Sequence, residues 1–413
     1  MLLAALALAA APAVNYDEAK VTPYVLPDPL VCRDGRRVED AAAWRERRRP
    51  ELLDLFAEHV YGRTPETGEA RRRASREVLE GPTPALGGKA LRTQWRVWPV
   101  GRDGPHFDLL VHAPAGKPGR HPAFLGLNFG GNHTTTTGEG VRPPSSWVTR
   151  EWATGPEGRA DPGKRGAQAG RWQLERVVGR GYAVATLYYG DLEGDAPGRW
   201  REGIRGHLSG GKTPGPGEWG AIGAWAWGLS RALDALESHP AVDPRRVAVI
   251  GHSRNGKAAL WAGAQDERFA LVISNQSGCG GAALSRRDYG ETLGIITGKF
   301  PHWFEPGLGA YQGRESELPV DQHELLALAA PRPVHVGSAV EDRWADPRGE
   351  FLAAVAAGPV YRLLGKADLG TADLPPPGRA IGGSVGYHLR EGRHDINAED
   401  WGHYLDFADR HLR

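Results

Sequence analysis

Hydrophobic positions along this chain fall into two rhythms. Eight runs read as strands: TQWRVWPV, FDLLVHAP, PAFLGLNFGG, YAVATLYY, RVAVIG, ALVISNQ, RPVHVGSA and SVGYHLR. The first two alternate apolar and polar side chains, as half-exposed antiparallel strands do. The middle ones are continuous apolar runs, the pattern of strands covered on both faces. Between them lie helical stretches. QLERVVGRG ends on Gly181, and GAIGAWAWGLSRALDALESHP is apolar on one face and stops before Pro240. GKAALWAGAQ, QHELLALAAP and GEFLAAVAAG follow. AEDWGHYLDFADRHL closes the chain with Asn397 as its predicted N-cap. Antiparallel strands leading into alternating β and α units predict an α/β three-layer sandwich with a mostly parallel central sheet and helices on both faces.

Two segments break the alternation. Residues 128–170, with GGNHTTTTGEG and GPEGRADPGKRG, and residues 191–217, with GDLEGDAPGRW and GGKTPGPG, read as insertions. Loops of this length are usually functional or disordered. Both follow the C-terminal end of a predicted parallel strand, where open α/β sheets bind ligands. No repeat or linker divides the chain, so residues 14–413 are expected to form one catalytic domain. Residues 1–13, MLLAALALAAAPA, resemble a secretory signal peptide ending in an A-x-A site, although the run has no Lys or Arg at its start. That predicts a secreted or periplasmic protein. No later segment is apolar for long enough to span a bilayer, so no stable membrane insertion is expected.

Composition narrows the chemistry. The 413 residues carry a net charge of +1, which argues against nucleic acid as a partner. The basic runs Arg45–Arg49 and Arg71–Arg73 read as solvated faces. Two cysteines, Cys32 and Cys279, cannot build a zinc cluster by themselves. They read as isolated thiols, with pairing in an exported protein left open. Fourteen tryptophans suit either a core or stacking on sugar rings.

RVAVIGHSRNGKAAL, from Arg246, reads as strand, tight turn and helix, with Ser253 in the turn. That is how a serine hydrolase presents its nucleophile, although Gly256 comes one place later than G-x-S-x-G requires. A serine hydroxyl needs a base, and the base needs an orienting carboxylate. After Ser253 the chain holds seven histidines. His394, in REGRHDINAEDW, falls between the last predicted strand and the last helix, where the base is wanted. His388 sits inside a strand, and His403 and His411 sit in the final helix. For the acid, VEDRWADP after the strand RPVHVGSA offers Glu341, Asp342 and Asp346; Asp342 is favoured, with Glu341 next. The backbone N–H of Arg254, directly after the serine, is the standard first oxyanion donor, and its guanidinium adds a charged one.

GHSRNGKAALWAGAQDERFA, NQSGCGGAALSRRDYGET, EDRWADP and GRHDI together resemble the bacterial glucuronoyl esterases, a carbohydrate esterase family, from about NFGGNHT to the C-terminus. The resemblance implies an α/β-hydrolase fold and a serine esterase. It would cleave the ester on the carboxyl group of glucuronic or 4-O-methyl-glucuronic acid, as in esters joining glucuronoxylan to lignin-derived alcohols. It implies that G-x-S-R-x-G-K is the usual turn, with Ser253 as nucleophile, His394 as base and Arg254 on the oxyanion. Lys257, Glu291 and Trp344 would then line the uronate pocket. No metal or cofactor is expected. Lys257, one turn into the helix, can face a pocket with Ser253, and Trp344 can offer a flat face to a sugar; Glu291 rests on the resemblance alone. Two departures stand out. Many members carry the acid as Glu where this chain has Gln276, so the acid is expected at Asp342. The fungal disulfide is absent, its places taken by His252 and Arg393. The rival readings are an acetyl-xylan or cinnamoyl esterase, and a non-catalytic carbohydrate-binding homologue.

Overall fold

The computed structural model describes residues 14–65 and 67–413; the segment read as a signal peptide lies outside them. Ten strands form the main sheet: β1 (Ser75–Ala85), β2 (Ala90–Trp98), β3 (Phe107–Pro114), β4 (His121–Asn128), β5 (Ala183–Tyr188), β6 (Val242–His252), β7 (Leu271–Asn275), β8 (Val334–Ala339), β9 (Arg379–Gly382) and β10 (Val385–Arg390). Their spatial order is β1-β2-β3-β5-β4-β6-β7-β8-β10-β9. The block from β5 through β4, β6, β7 and β8 to β10 is parallel. Strands β1 to β3 join it antiparallel at one side, and β9 pairs antiparallel with β10 at the other.

The continuous apolar runs follow from two-sided burial. Along β4, Phe124 packs on one face with Val184, Ile250, Ile273 and the helices α1 (Leu174–Gly179) and α5 (Ala398–Leu412). Its neighbours Ala123 and Leu125 point the other way. There the cover is α2 (Ala221–Leu236), α3 (Arg254–Gln265) and α4 (Pro347–Leu363), through Trp225, Leu229, Leu260, Trp261 and Phe351. A period of two along each strand thus feeds two separate cores. α2 is buried nearly all round, as its apolar composition requires.

Three expectations need correction. β3 is buried along its whole length, because α1 packs across it and the polar Asp108 and His112 are enclosed with it. β1 and β9 were not expected; β1 is a largely polar edge strand and β9 only four residues long, so neither carries a strong apolar rhythm. The run Arg45–Arg49 is only partly solvated. Arg48 is buried in ion pairs with Glu51 and Glu324, and buried Arg49 donates to the Ala264 carbonyl at 2.7 Å. Arg71 and Arg73 do pair with surface carboxylates of Asp234 and Asp103. Cys32 and Cys279 are both buried and free.

The parallel strands β6, β7, β8 and β10 end at the same edge, and the segments that follow them carry Ser253, Gln276, Asp342 and His394. The segments after β4 and β5 run over this edge and include a two-stranded ribbon, Ala153–Thr154 with Arg159–Ala160. Asn397 caps α5 in a capping box with Asp400. Asp400 also accepts from His388 of β10 at 2.9 Å, Arg390 at 2.8 Å and Asn275 at 3.0 Å, so the start of α5 is locked to two strand ends.

Candidate active site

Ser253 stands between β6 and α3 at φ 57° and ψ −130°, in the half of backbone space that non-glycine residues avoid. The turn is sharp because its backbone segments touch. A Cβ on Gly251 would lie 1.9 Å from the Asn255 carbonyl oxygen, and one on Gly256 would meet the Gly251 carbonyl and the Ser277 Cβ at 3.0 Å. Gly256 is therefore the second glycine the turn needs, one place later than the simple pattern. The Ser253 N–H donates to the Asn275 carbonyl at 2.9 Å, which anchors the turn to β7.

His394 lies in the loop between β10 and α5. Its Nδ1 is 2.6 Å from Asp342 Oδ2. The Asp342 side chain is 3% exposed and that of His394 41%, so the carboxylate is sealed behind a ring whose other edge is open. Facing a carboxylate, Nδ1 carries the proton, and Nε2 keeps its lone pair. Glu341 instead pairs with Arg393 at 3.3 Å on the surface, and Asp346 pairs with Arg287 at 2.8 Å. Of the three carboxylates, Asp342 is the one in contact with His394.

His252, at the end of β6, packs its ring 4.6 Å from that of His394. Asn275 Nδ2 donates to Asp400 at 3.0 Å and to the Tyr404 hydroxyl at 2.7 Å, which leaves Oδ1 to accept from His252 Nδ1–H at 2.6 Å. That bond fixes the tautomer of His252, with the proton on Nδ1. Burial drives its pKa well below the ordinary value, and the neighbouring charge of His394 adds to the shift.

Two cations of α3 flank the serine. The Arg254 guanidinium pairs with Asp195 and lies over Trp303 at 4.9 Å. Asp195 also contacts His302 Nε2 at 2.9 Å and accepts from Trp303 Nε1 at 2.6 Å. Burial alone would push its carboxyl upward; His302, Arg254 and Trp303 outweigh that and hold it below the ordinary value. Lys257 is buried, donates to the Ser277 carbonyl and lies 5.9 Å from the centre of the Trp303 ring. Its pKa is lowered by burial, a shift opposed by the charge of Glu291. Glu291 is raised by burial, opposed by Lys257 and Lys299. The Glu291 N–H donates to the Trp344 carbonyl at 3.0 Å, and Lys299 lies 5.5 Å over the half-buried Trp344 ring. An open cleft of about 390 Å³ adjoins this wall, lined by Tyr16, Asp342, Arg343, Trp344, Arg393 and His394 among others.

Sequence reasoning missed Asp195, His302, Trp303 and the partners of His252. Asp195 had a detectable signal, an acidic residue in an insertion that follows a parallel strand. The others had none, since only the fold brings them to this edge. Among the described residues, no cluster of three or more His, Cys, Asp or Glu is arranged to hold a metal ion, and no helix is long and apolar enough to cross a membrane.

The model of the family described as glucuronyl esterase, fungi, matches residues 215–365. A carbohydrate esterase, MZ0003, from an unknown prokaryotic organism is 47% identical over 404 residues, covering 96% of this chain and 92% of that protein. Among solved structures, a promiscuous CE15 esterase from a marine bacterial metagenome is 46% identical with a TM-score of 0.89, covering 97% of this chain and 100% of that one. A glucuronoyl esterase from Solibacter usitatus is 45% identical with a TM-score of 0.90, covering 96% and 100%. With an α/β-hydrolase sheet and this likeness along nearly its whole length, the chain belongs to the CE15 glucuronoyl esterases and is a carboxylic ester hydrolase.

Proposed function

We propose that the protein hydrolyses the ester on the carboxyl group of glucuronic or 4-O-methyl-glucuronic acid by a Ser253–His394–Asp342 triad and an acyl-enzyme. The observation that carries this reading is the 2.6 Å contact of buried Asp342 with His394, whose ring packs 4.6 Å from that of His252, the residue before a serine held at positive φ. Ser253 Oγ attacks the carbonyl carbon while His394 Nε2 takes its proton. Asp342 stabilises the imidazolium that forms. The oxyanion is met by the Arg254 N–H, a free donor at the start of α3, and by its guanidinium. As the intermediate collapses, the alcohol leaves with the proton from His394. Water then attacks the acyl-enzyme, losing its proton to His394, and the free uronate departs as the bond to Ser253 Oγ breaks and His394 returns that proton to Oγ. Lys257, Glu291 and Trp344 bind the sugar acid. The natural substrates are glucuronoxylan esters of lignin-derived alcohols, met outside the cytoplasm. Residues 1–13 act as export signal, and 14–413 as one catalytic domain with insertions near 128–170 and 191–217.

Hydrolysis of benzyl glucuronate tests this. Ser253→Ala should lose kcat by a factor on the order of 10⁴ or more, and Asp342→Ala by roughly 10²–10⁴. Full turnover by Asp342→Ala would sink the acid assignment.

A broader carbohydrate esterase is the second reading, favoured by the promiscuous relative described above. The cations Arg254 and Lys257 beside the serine support a uronate as the acyl part. A panel of methyl glucuronate, acetylated and feruloylated sugars separates the two. Labelling of Ser253 by a fluorophosphonate would eliminate a non-catalytic homologue.

A further inference from the structure

Gln276 follows β7 directly and is buried, at φ 47°, a second non-glycine residue in the left-handed region at this edge. Holding such a conformation costs about 1–3 kcal/mol, so the surroundings must enforce it. Its own N–H donates to the Gly337 carbonyl of β8 at 2.7 Å. Its side chain reaches the loop after β10, where Oε1 accepts from the Asp395 N–H at 3.0 Å and Nε2 donates to the Asp395 carbonyl at 2.7 Å. Because one end must accept and the other donate, the backbone of Asp395 fixes the orientation of the amide. Asp395 is the residue after His394. Its carbonyl takes a second bond from Arg390 at 2.6 Å, and its carboxylate one from Arg171 at 2.7 Å.

We propose that Gln276 is a positioning residue, an amide clamp on the Asp395 peptide group that holds His394 against Asp342 and toward Ser253. The inference rests on the reading of His394 as base and Asp342 as acid. A glutamate at 276 satisfies the Asp395 N–H but, once ionised, sets a carboxylate oxygen against the Asp395 carbonyl. Gln276 is thus matched to a triad whose acid stands on the neighbouring strand, rather than being the remnant of a lost acid. These two accounts predict opposite signs for the same substitution.

The experiment measures kcat, KM, pH profile and melting temperature for Gln276→Ala, Gln276→Glu, Asp342→Asn and Gln276→Glu/Asp342→Asn on benzyl glucuronate. A clamp predicts that Gln276→Ala lowers kcat by roughly 10- to 100-fold, the scale of a misplaced reacting group, with KM within about twofold. Gln276→Glu should lose activity too. Its loss should deepen between about pH 6 and pH 9, as a buried carboxyl that must stay protonated to donate gives up its proton. It should not rescue Asp342→Asn. Gln276→Glu at or above wild-type kcat, or rescue of Asp342→Asn, would overturn the clamp and make 276 an acid position. A Gln276→Ala variant that melts earlier but keeps wild-type kcat below its melting temperature would reduce the residue to a structural role and overturn the clamp as well. An unimpaired Asp342→Asn would instead remove the acid assignment, while a kcat loss in Gln276→Ala still stood for the clamp.

Discussion

Arg254 and Lys257 stand one turn apart on the same helix and flank the same serine, yet they are held in different ways. Arg254 is tied to a carboxylate from the segment after β5 and walled by Trp303, with 28% of its side chain still exposed. Lys257 is buried and bonded to a backbone carbonyl, and the opposite charge that acts on it most strongly, Glu291, does so through the field. A paired, partly open guanidinium is a fixed donor that keeps its charge and can meet an anion as it develops. A desolvated ammonium lacking a close carboxylate is ready to bond a polar group already present in the substrate. In the proposed mechanism, this contrast matches Arg254 to the transition state and Lys257 to ground-state binding.

The largest effect that would break this contrast is expected from Arg254→Ala. Losing an oxyanion donor should cost roughly 10²–10³ in kcat, with little change in KM. If KM rises instead and kcat holds, Arg254 is a binding residue and the contrast fails. Next comes Asp195→Asn, which leaves the guanidinium in place but frees it. A loss of roughly tenfold in kcat is expected, the size of one charge-assisted hydrogen bond. A loss equal to that of Arg254→Ala would show Asp195 doing more than anchoring. For Lys257→Met and Glu291→Gln the split should reverse, with KM up roughly tenfold and kcat within a few-fold. Steady-state kinetics on methyl glucuronate decides all three.

The smallest effect concerns the floor beneath Asp342. Glu350 is fully buried, accepts from the Gly278 N–H at 2.9 Å and lies 2.6 Å from the Ser338 hydroxyl. Burial, reinforced by the charges of Asp342 and Asp346, pushes its pKa up to about 8. In the unfolded chain it titrates near the ordinary glutamate value of 4.5. The folded protein therefore holds a proton that the unfolded chain releases above that value. This contribution is complete below about pH 4.5 and is lost as pH rises toward 8. Glu350→Gln removes the dependence, so its melting temperature should gain on the wild type from pH 5 to about pH 8 and level off above. A constant difference across that range would mean Glu350 is ionised in the fold, leaving Asp342 beside a like charge.

Much of the layout was legible along the chain. The strands of the parallel block announce themselves because both faces are buried and most positions are apolar. Ser253 was visible because the turn needs glycines at fixed places, and His394 because it falls in the one loop after the last parallel strand. The polar edge strand β1 was not legible, since an edge with one exposed face has no reason to repeat apolar residues. Arg48 and Arg49 misled because a charged run reads as solvated until its buried partners, Glu324 and the Ala264 carbonyl, are brought from distant segments.

The sequence by itself therefore determined the layers, the serine turn and the short set of candidates for base and acid, because each depends on a local rhythm or on neighbours a few residues away. Only the tertiary structure put Asp342, rather than Glu341 or Asp346, in contact with His394, and it turned Gln276 from an apparently missing charge into a bond on the loop of the histidine. Those questions depend on which strand ends lie side by side, and that is set by packing between segments far apart in the chain, 52 residues for Asp342 and His394 and 119 for Gln276 and Asp395.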